Sequence, residues 1–334
     1  MTERQGTPPT STGGPGGGVL QVLKRTREVV PQAGLIAGLI VLCLLLTLLS
    51  ANFLTPSNIL NVILQASVFA ILAFGMTFVI LTAGIDLSVG SVLALSGAVM
   101  ASMTAAFGPA TGILIGVGVG ALIGTVNGLF VTVARVAPFI ATLAMLAIAR
   151  GLTYLYTQGT PIRVRSPGFT VFGQGLFTIV PVPVILMFVI FFVCLVVLTQ
   201  TRFGRYVYAI GSNPEVTRLS GIPINRYVVL VYAISGLCAA IGGLILTARL
   251  ASADPNNGTG YELQAIAAVV VGGTSLFGGR GGVFGTLLGA LIIAVVSNGL
   301  VLLNVNAFWQ QVVSGAIILL AVLTDSVRRR SWYE

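Results

Sequence analysis

The chain has 334 residues, of which 56% are hydrophobic and only 7% are charged, with a formal net charge of +9. Soluble domains carry about 25% charged residues, so an ordinary soluble fold is excluded, and apolar runs such as Ala33 to Leu49, Ile59 to Leu81, Val182 to Leu198 and Ala307 to Leu323 approach the roughly 20 residues that a helical membrane span needs. The positive charge is nearly all arginine, set in short clusters between apolar runs; that is the pattern of loops on the cytoplasmic side of a bilayer, not of a nucleic-acid surface.

In chain order, residues 1–18 are rich in Gly, Pro, Ser and Thr, which predicts disorder, and they do not resemble a secretory signal peptide. A basic stretch with Lys24, Arg25 and Arg27 follows, so residues 1–30 read as a cytoplasmic tail. Ten spans are expected over 31–325, at about 32–52, 57–82, 86–107, 109–134, 138–157, 182–200, 226–249, 261–277, 282–303 and 307–325, with a second short tail at 326–334. The fold class is therefore an all-α polytopic membrane protein. With the N-terminus inside, thirteen basic residues fall on the cytoplasmic side and four (Arg150, Arg163, Arg165, Arg249) outside or at outer span ends, which predicts both termini in the cytoplasm. Cys43, Cys194 and Cys238 each sit within an apolar run and read as small packing residues.

The sequence repeats itself weakly. Gly84-Ile85-Asp86-Leu87 matches Gly260-Tyr261-Glu262-Leu263, Gly120-Ala121-Leu122 matches Gly289-Ala290-Leu291, and Asn127-Gly128-Leu129 matches Asn298-Gly299-Leu300, at offsets of 176, 169 and 171. The matched spans lie five apart, so two halves, about 31–157 and 182–325, are expected to have opposite orientations, as in many transporters. Asp86 and Glu262 both fall at helix starts, where a carboxylate meets unpaired N–H groups. Asp86 is expected near the cytoplasmic face and Glu262 near the outer face, each as a cap or as a gate. Gly116, Gly120 and Gly124, and again Gly285 and Gly289, recur every four residues, a spacing that lets helices approach closely.

Two loops are long: 158–181 outside and 201–225 inside. The inner one reads Gly211-Ser212-Asn213-Pro214-Glu215-Val216-Thr217-Arg218-Leu219-Ser220-Gly221-Ile222. Asn213-Pro214-Glu215 is a helix start and Gly221 a stop, predicting a cytoplasmic helix over 214–220. A helix that short is unstable alone in water, so it must pack on its own chain or in a partner's groove.

This segment, together with Thr82 to Ser91, Gly258 to Ala268 and Gly272 to Gly279, resembles the signatures of ribose- and xylose-type permeases, the membrane subunits of bacterial monosaccharide ABC importers. The resemblance runs over about residues 35–325 and implies a multi-pass protein of the bacterial inner membrane that is not itself an enzyme. It implies a second permease subunit, a cytoplasmic ATPase subunit that carries the ATP and Mg, and an extracytoplasmic sugar-binding protein docked partly on 158–181; no cofactor and no metal belongs to this chain. By the same resemblance, Gly211, Ser212, Asn213, Glu215, Arg218, Leu219, Gly221 and Ile222 form the element that couples to the ATPase. Two copies embedded in lipid would enclose a pathway lined by Gln65, Asp86, Ser88, Ser91, Asn127, Glu262, Gln264 and Asn298. The rival class is an ion-coupled secondary sugar transporter. It is disfavoured because Asp86, Glu262 and Asp325, the acids inside or at the edges of spans, all lie near span ends. A membrane enzyme is weaker still: the chain has no histidine, and its only lysine, Lys24, precedes Arg25 rather than the Ser or Thr of a Walker loop.

Overall fold

A computed structural model describes residues 16–330 and is helical apart from two short two-stranded ribbons. The first half comprises α1 (Gly16–Leu49), α2 (Pro56–Leu81), α3 (Val89–Phe107), α4 (Pro109–Thr132) and α5 (Pro138–Thr157). The next segment holds β1 (Ile162–Arg163), α6 (Pro167–Gln174), β2 (Leu176–Phe177) and β3 (Val180–Pro181). Then come α7 (Val182–Gln200), α8 (Arg202–Ser212), α9 (Pro214–Leu219), α10 (Ile224–Leu250), β4 (Ser252–Ala253), α11 (Tyr261–Val271), α12 (Val283–Leu302) and α13 (Ala307–Arg330). Proline opens α2, α4, α5, α6 and α9, the position at which its missing N–H costs nothing and its fixed φ suits the helix.

Among the described residues eight helices are long and apolar enough to cross a membrane, and two shorter apolar ones, α11 and Phe308–Leu323 within α13, bring the number to the expected ten. One difference lies at the N-terminus: residues 1–15 of the expected tail lie outside the described residues, and 16–30 form the first turns of α1. The run Val19 to Glu28 is rich in Leu, Gln, Lys, Arg and Glu, all good helix formers. A second change concerns the eighth span. α11 has 11 residues, about 16 Å or half the hydrocarbon thickness, because Gly272-Gly273 ends it, Gly273 taking φ +88°.

The core sits around α2, buried almost without break from Ala66 to Leu81, and around α10. Gly75 lets α2 touch the backbone of Ser235 and the Cys238 side chain on α10, and the Thr77 and Thr286 hydroxyls bond at 2.8 Å between α2 and α12. Cys194 and Cys238 are buried and Cys43 half-buried, none in a disulfide, as packing residues would be. α1 by contrast keeps Ile40, Leu44, Leu48 and Leu49 exposed, a lipid-facing edge.

The repeat is visible in packing. Gly116 of α4 lies against the Ser96 carbonyl of α3, and Gly285 of α12 lies against the Gly272 carbonyl at the end of α11. These contacts correspond under the offsets read from the sequence, 169 for the glycines and 176 for their partners. In each half a long helix thus returns along the helix before it, with a glycine at the same place. We expect Gly116→Val and Gly285→Val to lower the thermal stability of the detergent-solubilised protein by about 1–3 kcal/mol each through overpacking. Gly118→Ala, where a Cβ meets nothing within 4 Å, should leave the melting temperature unchanged.

Candidate functional site

α3 and α11 start where the chain has already entered the bundle, not at its rim. α2 ends in a turn at Thr82–Gly84, stabilised by Ala83 and Gly84 N–H bonds back to Ile80 and Val79. Residues Ile85–Ser88 then run inward, with Asp86 and Ser88 each 1% exposed. On the other side, β4 pairs with β1 (Ala253 opposite Ile162, Ser252 opposite Arg163), after which residues 254–260 descend to the start of α11. The two starts meet. A Cβ on Gly90 would overlap the Gly258 carbonyl and the Glu262 carboxylate, and one on Gly258, at φ +72°, would overlap the Gly90 carbonyl. Asp86 and Glu262 were expected at opposite faces of the membrane; instead, Glu262 touches α3 one turn beyond Asp86. From the meeting point the helices diverge. α3 runs toward Ala253 and Ile162 of the ribbon, and α11 runs toward the loop whose Gly279 N–H donates to the Leu81 carbonyl at the end of α2.

Asp86 anchors its half. Its Oδ1 accepts from the Ser88 N–H (3.0 Å) and the Ser88 hydroxyl (2.6 Å), and its Oδ2 from the Ser235 hydroxyl of α10 (2.8 Å). Asn127 of α4 donates to Ser88 Oγ at 2.9 Å, and Ser91 to the Ser88 carbonyl at 2.9 Å. The Ile85 carbonyl accepts from Thr142 of α5 and Tyr232 of α10. Four of the eight pathway residues expected from sequence, Asp86, Ser88, Ser91 and Asn127, therefore belong to one buried network joining α3, α4 and α10.

The other four are dispersed. Asn298 is 9% exposed and exchanges two amide bonds with Asn58 of α2, at 3.0 and 2.7 Å, clasping α12 to α2. Gln264 donates to Ser314 of α13 at 3.2 Å beside a small cavity that Ser297 also lines. Gln65 is half-buried on α2, one turn from Phe69, whose ring packs edge-on against Tyr261 at 5.1 Å. Glu262 is half-buried at the meeting point.

Sequence reasoning missed Arg150. It sits well inside α5, and its Nη1 donates to the carbonyls of Pro255 and Asn257 in the descending segment, while Tyr154 donates to Asn256 Oδ1. The signal was present, since an arginine within an apolar span is a functional candidate by default. Counting it among residues at outer span ends hid it.

The inner loop folds as two helices, α8 and α9, where one was expected. Thr201 caps α8 through Gly204 N–H (3.3 Å), and Asn213 caps α9 through Val216 N–H (3.1 Å). Gly211 presses so closely on the Leu81 carbonyl and Gly279 N–H that a Cβ there would overlap both, and Tyr208 donates to the Gly281 carbonyl at 2.8 Å. Thr217 faces inward, while Glu215, Val216, Arg218 and Leu219 are exposed, Leu219 at 75%. Glu215 and Arg218 pair at 2.6 Å on that face, which raises the guanidinium's pKa further. The short helix thus packs on its own chain along one side and presents the other outward. Ser212, Gly221 and Ile222 flank it, Ile222 half-buried.

Comparison with known proteins gives concordant matches. The family model described as branched-chain amino acid transport system / permease component matches residues 58–322. The chain is 50% identical over 300 residues to the ribose import permease protein of Bacillus subtilis, covering 89% of this chain and 93% of that one. It is 48% identical to the Escherichia coli ribose import permease protein over 90% of this chain and 95% of the relative. To the D-allose transport system permease protein of Escherichia coli it is 41% identical, over 82% and 84% of the two chains. No solved structure matches the sequence.

The amide clasp gives a clean test. Asn58→Leu strands the Asn298 amide and should destabilise the solubilised protein, while the double replacement Asn58→Leu/Asn298→Leu should recover part of the loss. The double-mutant cycle, read by thermal unfolding, should give a coupling of about 0.5–2 kcal/mol.

Proposed function

We propose how this chain works from one premise: it belongs to the family of branched-chain amino acid transport system permease components. It is the membrane permease subunit of an ATP-driven sugar importer, a multi-pass protein. The observation that carries this reading is the high identity to ribose import permeases along nearly the whole chain. The cargo is a monosaccharide of the ribose type; relatives named for D-allose and fructose import make other pentoses and hexoses the alternatives to test first.

Two copies of the chain assemble face to face, with the pathway between them. Sugar arrives from a binding protein outside, received in part by the segment 158–181. A separate ATPase subunit, holding ATP and Mg, sits on the cytoplasmic side together with both termini and the loop 201–225, a sidedness that the excess of arginine supports. Gly211, Ser212, Asn213, Glu215, Arg218, Leu219, Gly221 and Ile222 form the foot that enters the ATPase. What supports this assignment is the shape of α9: a capped two-turn helix with one face seated on its own chain and an exposed face carrying Val216, Leu219 and an ion pair.

The foot reaches the pathway through two backbone contacts. Gly211 bears on Leu81, which precedes the Asp86 turn and α3, and on Gly279, which follows α11. A displacement of α8–α9 therefore pushes on the stems of α3 and of the half-depth α11, whose starts meet at Gly90 and Gly258. Glu262 and Gln65 stand beside that meeting point as pathway contacts, with Gln264 behind them. Asp86, Ser88, Ser91, Asn127 and Asn298 act on the pathway by holding the helices that border it. The permease needs only weak affinity for sugar, because a tight site would hold the cargo and slow its release.

The exposed ion pair makes the test sharp. Glu215→Lys and Arg218→Glu should leave membrane insertion and thermal stability unchanged, because surface ion pairs contribute little. ATP-dependent uptake in proteoliposomes containing ATPase and binding protein should fall at least about tenfold, as expected when a buried interfacial charge loses its partner. Wild-type uptake by both variants would remove α9 from the coupling role.

A further inference from the structure

The segment Asp254–Gly258 lies at a depth where irregular backbone is tolerated only if its polar groups are satisfied or face a cavity. Its anchors show that depth. Ala253 packs in one cluster with Ala98 and Ala101 of α3, while Gly258 meets Gly90, so the chain descends about 12–16 Å along α3 in five residues at 1.5 Å per helical residue. The segment supplies part of its own bonding. Asn257 N–H donates to the Asp254 carbonyl at 3.0 Å, Asn256 N–H and Nδ2 donate to Asp254 Oδ1 at 2.8 and 3.1 Å, and Pro255 has no N–H to satisfy. Among the described residues, two carbonyls, of Pro255 and Asn257, take their donor from the Arg150 guanidinium of α5, and the Asn256 side chain finds the Tyr154 hydroxyl one turn further on.

Arg150 is thus a charge within a span that bonds neutral carbonyls of a segment with no secondary structure of its own. Such a residue normally faces the bundle interior or a water-filled cavity. Asn256 and Thr259 are exposed, and Asn256 meets the Tyr154 hydroxyl of α5. Polar groups at this depth need water or another protein chain against them, not lipid.

We propose that Arg150 and Tyr154 are positioning residues that hold Asp254–Gly258 across the outer end of the pathway as a gate, and that release of these bonds admits sugar from outside. The inference rests on the importer reading for its cargo, but the closure itself does not. Because α11 begins directly after the segment, movement of the α8–α9 foot at the far end of α11 would pull on the gate through that 11-residue helix.

The test uses the intact chain in right-side-out vesicles with a membrane-impermeant maleimide and a reporter thiol, Ala267→Cys, on the second turn of α11 beyond the gate, where the side chain is buried beside the small cavity. Labelling of the parent without the reporter is subtracted. Arg150→Ala should raise the labelling rate by about tenfold or more, since two charge-assisted bonds are lost. Tyr154→Phe should raise it less, and Arg150→Lys, which keeps donors, should restore most of the protection. If Arg150→Ala fails to reach the membrane, Tyr154→Phe decides alone: a faster rate supports the gate and an unchanged one overturns it. Unchanged rates in both variants overturn it as well. Labelling needs no cargo, so failure of the parent to import any monosaccharide would count against the importer reading while leaving the gate result intact.

Discussion

Everything in this protein depends on two helix starts meeting, backbone to backbone, inside the bundle. Gly90 and Gly258 approach so closely that neither tolerates a Cβ, and each follows a stretch of non-helical chain. A bilayer offers no water to exposed N–H and C=O groups, so such stretches persist only where side chains replace the solvent. Asp86 does this on one side, with three hydrogen bonds that bind the turn to its own helix start and to α10. Arg150 does it on the other, with two bonds to carbonyls. Both side chains come from the first half of the chain: an acid satisfies donors in the turn before α3, and a basic group satisfies acceptors in the turn before α11, so the two stretches meet the same requirement by opposite chemistry.

That arrangement sets one half-length helix within a frame of long ones. Helices that cross the whole membrane, such as α2 and α10, form the buried frame. α11 spans only about half the thickness and begins at the meeting point, and its far end leads into the loop on which the α8–α9 foot rests. Asp325 of α13 steadies that loop, accepting from the Ser275 hydroxyl and the Leu276 N–H. In the proposed coupling, pressure on the stems of α3 and α11 would act on the pathway with little distortion of the frame.

Much of this was legible in the residues. Ten apolar helices follow from composition and run length, and the internal repeat followed from three collinear matches that the packing of Gly116 and Gly285 reproduces. The short helix α9 was legible because Asn213, Pro214 and Glu215 announce a helix start and Gly221 a stop, although α8 was not foreseen: Gly204 and its three aromatic neighbours obscure its pattern. The depth of the helix starts was not legible. Hydropathy counts apolar residues and cannot distinguish a helix that begins at the rim from one that begins after the chain has re-entered. For that reason Asp86 and Glu262 were expected on opposite faces. The pairing of Asn298 with Asn58, 240 positions apart, likewise lies beyond any local pattern; only the fold brings the two amides together.

The sidedness of the foot bears most directly on the central claim that force enters from the cytoplasm through α8–α9. Single thiols at Leu219, on the exposed face of α9, and at Ile179, in the hairpin between β2 and β3, are both well exposed, at 75% and 85%. In right-side-out and inverted vesicles treated with an impermeant reagent, the expected result is that Leu219→Cys reacts only in inverted vesicles and Ile179→Cys only in right-side-out ones. Reaction of Leu219→Cys from the external face would contradict the mechanism outright, because a foot outside the cell has no ATPase to stand on.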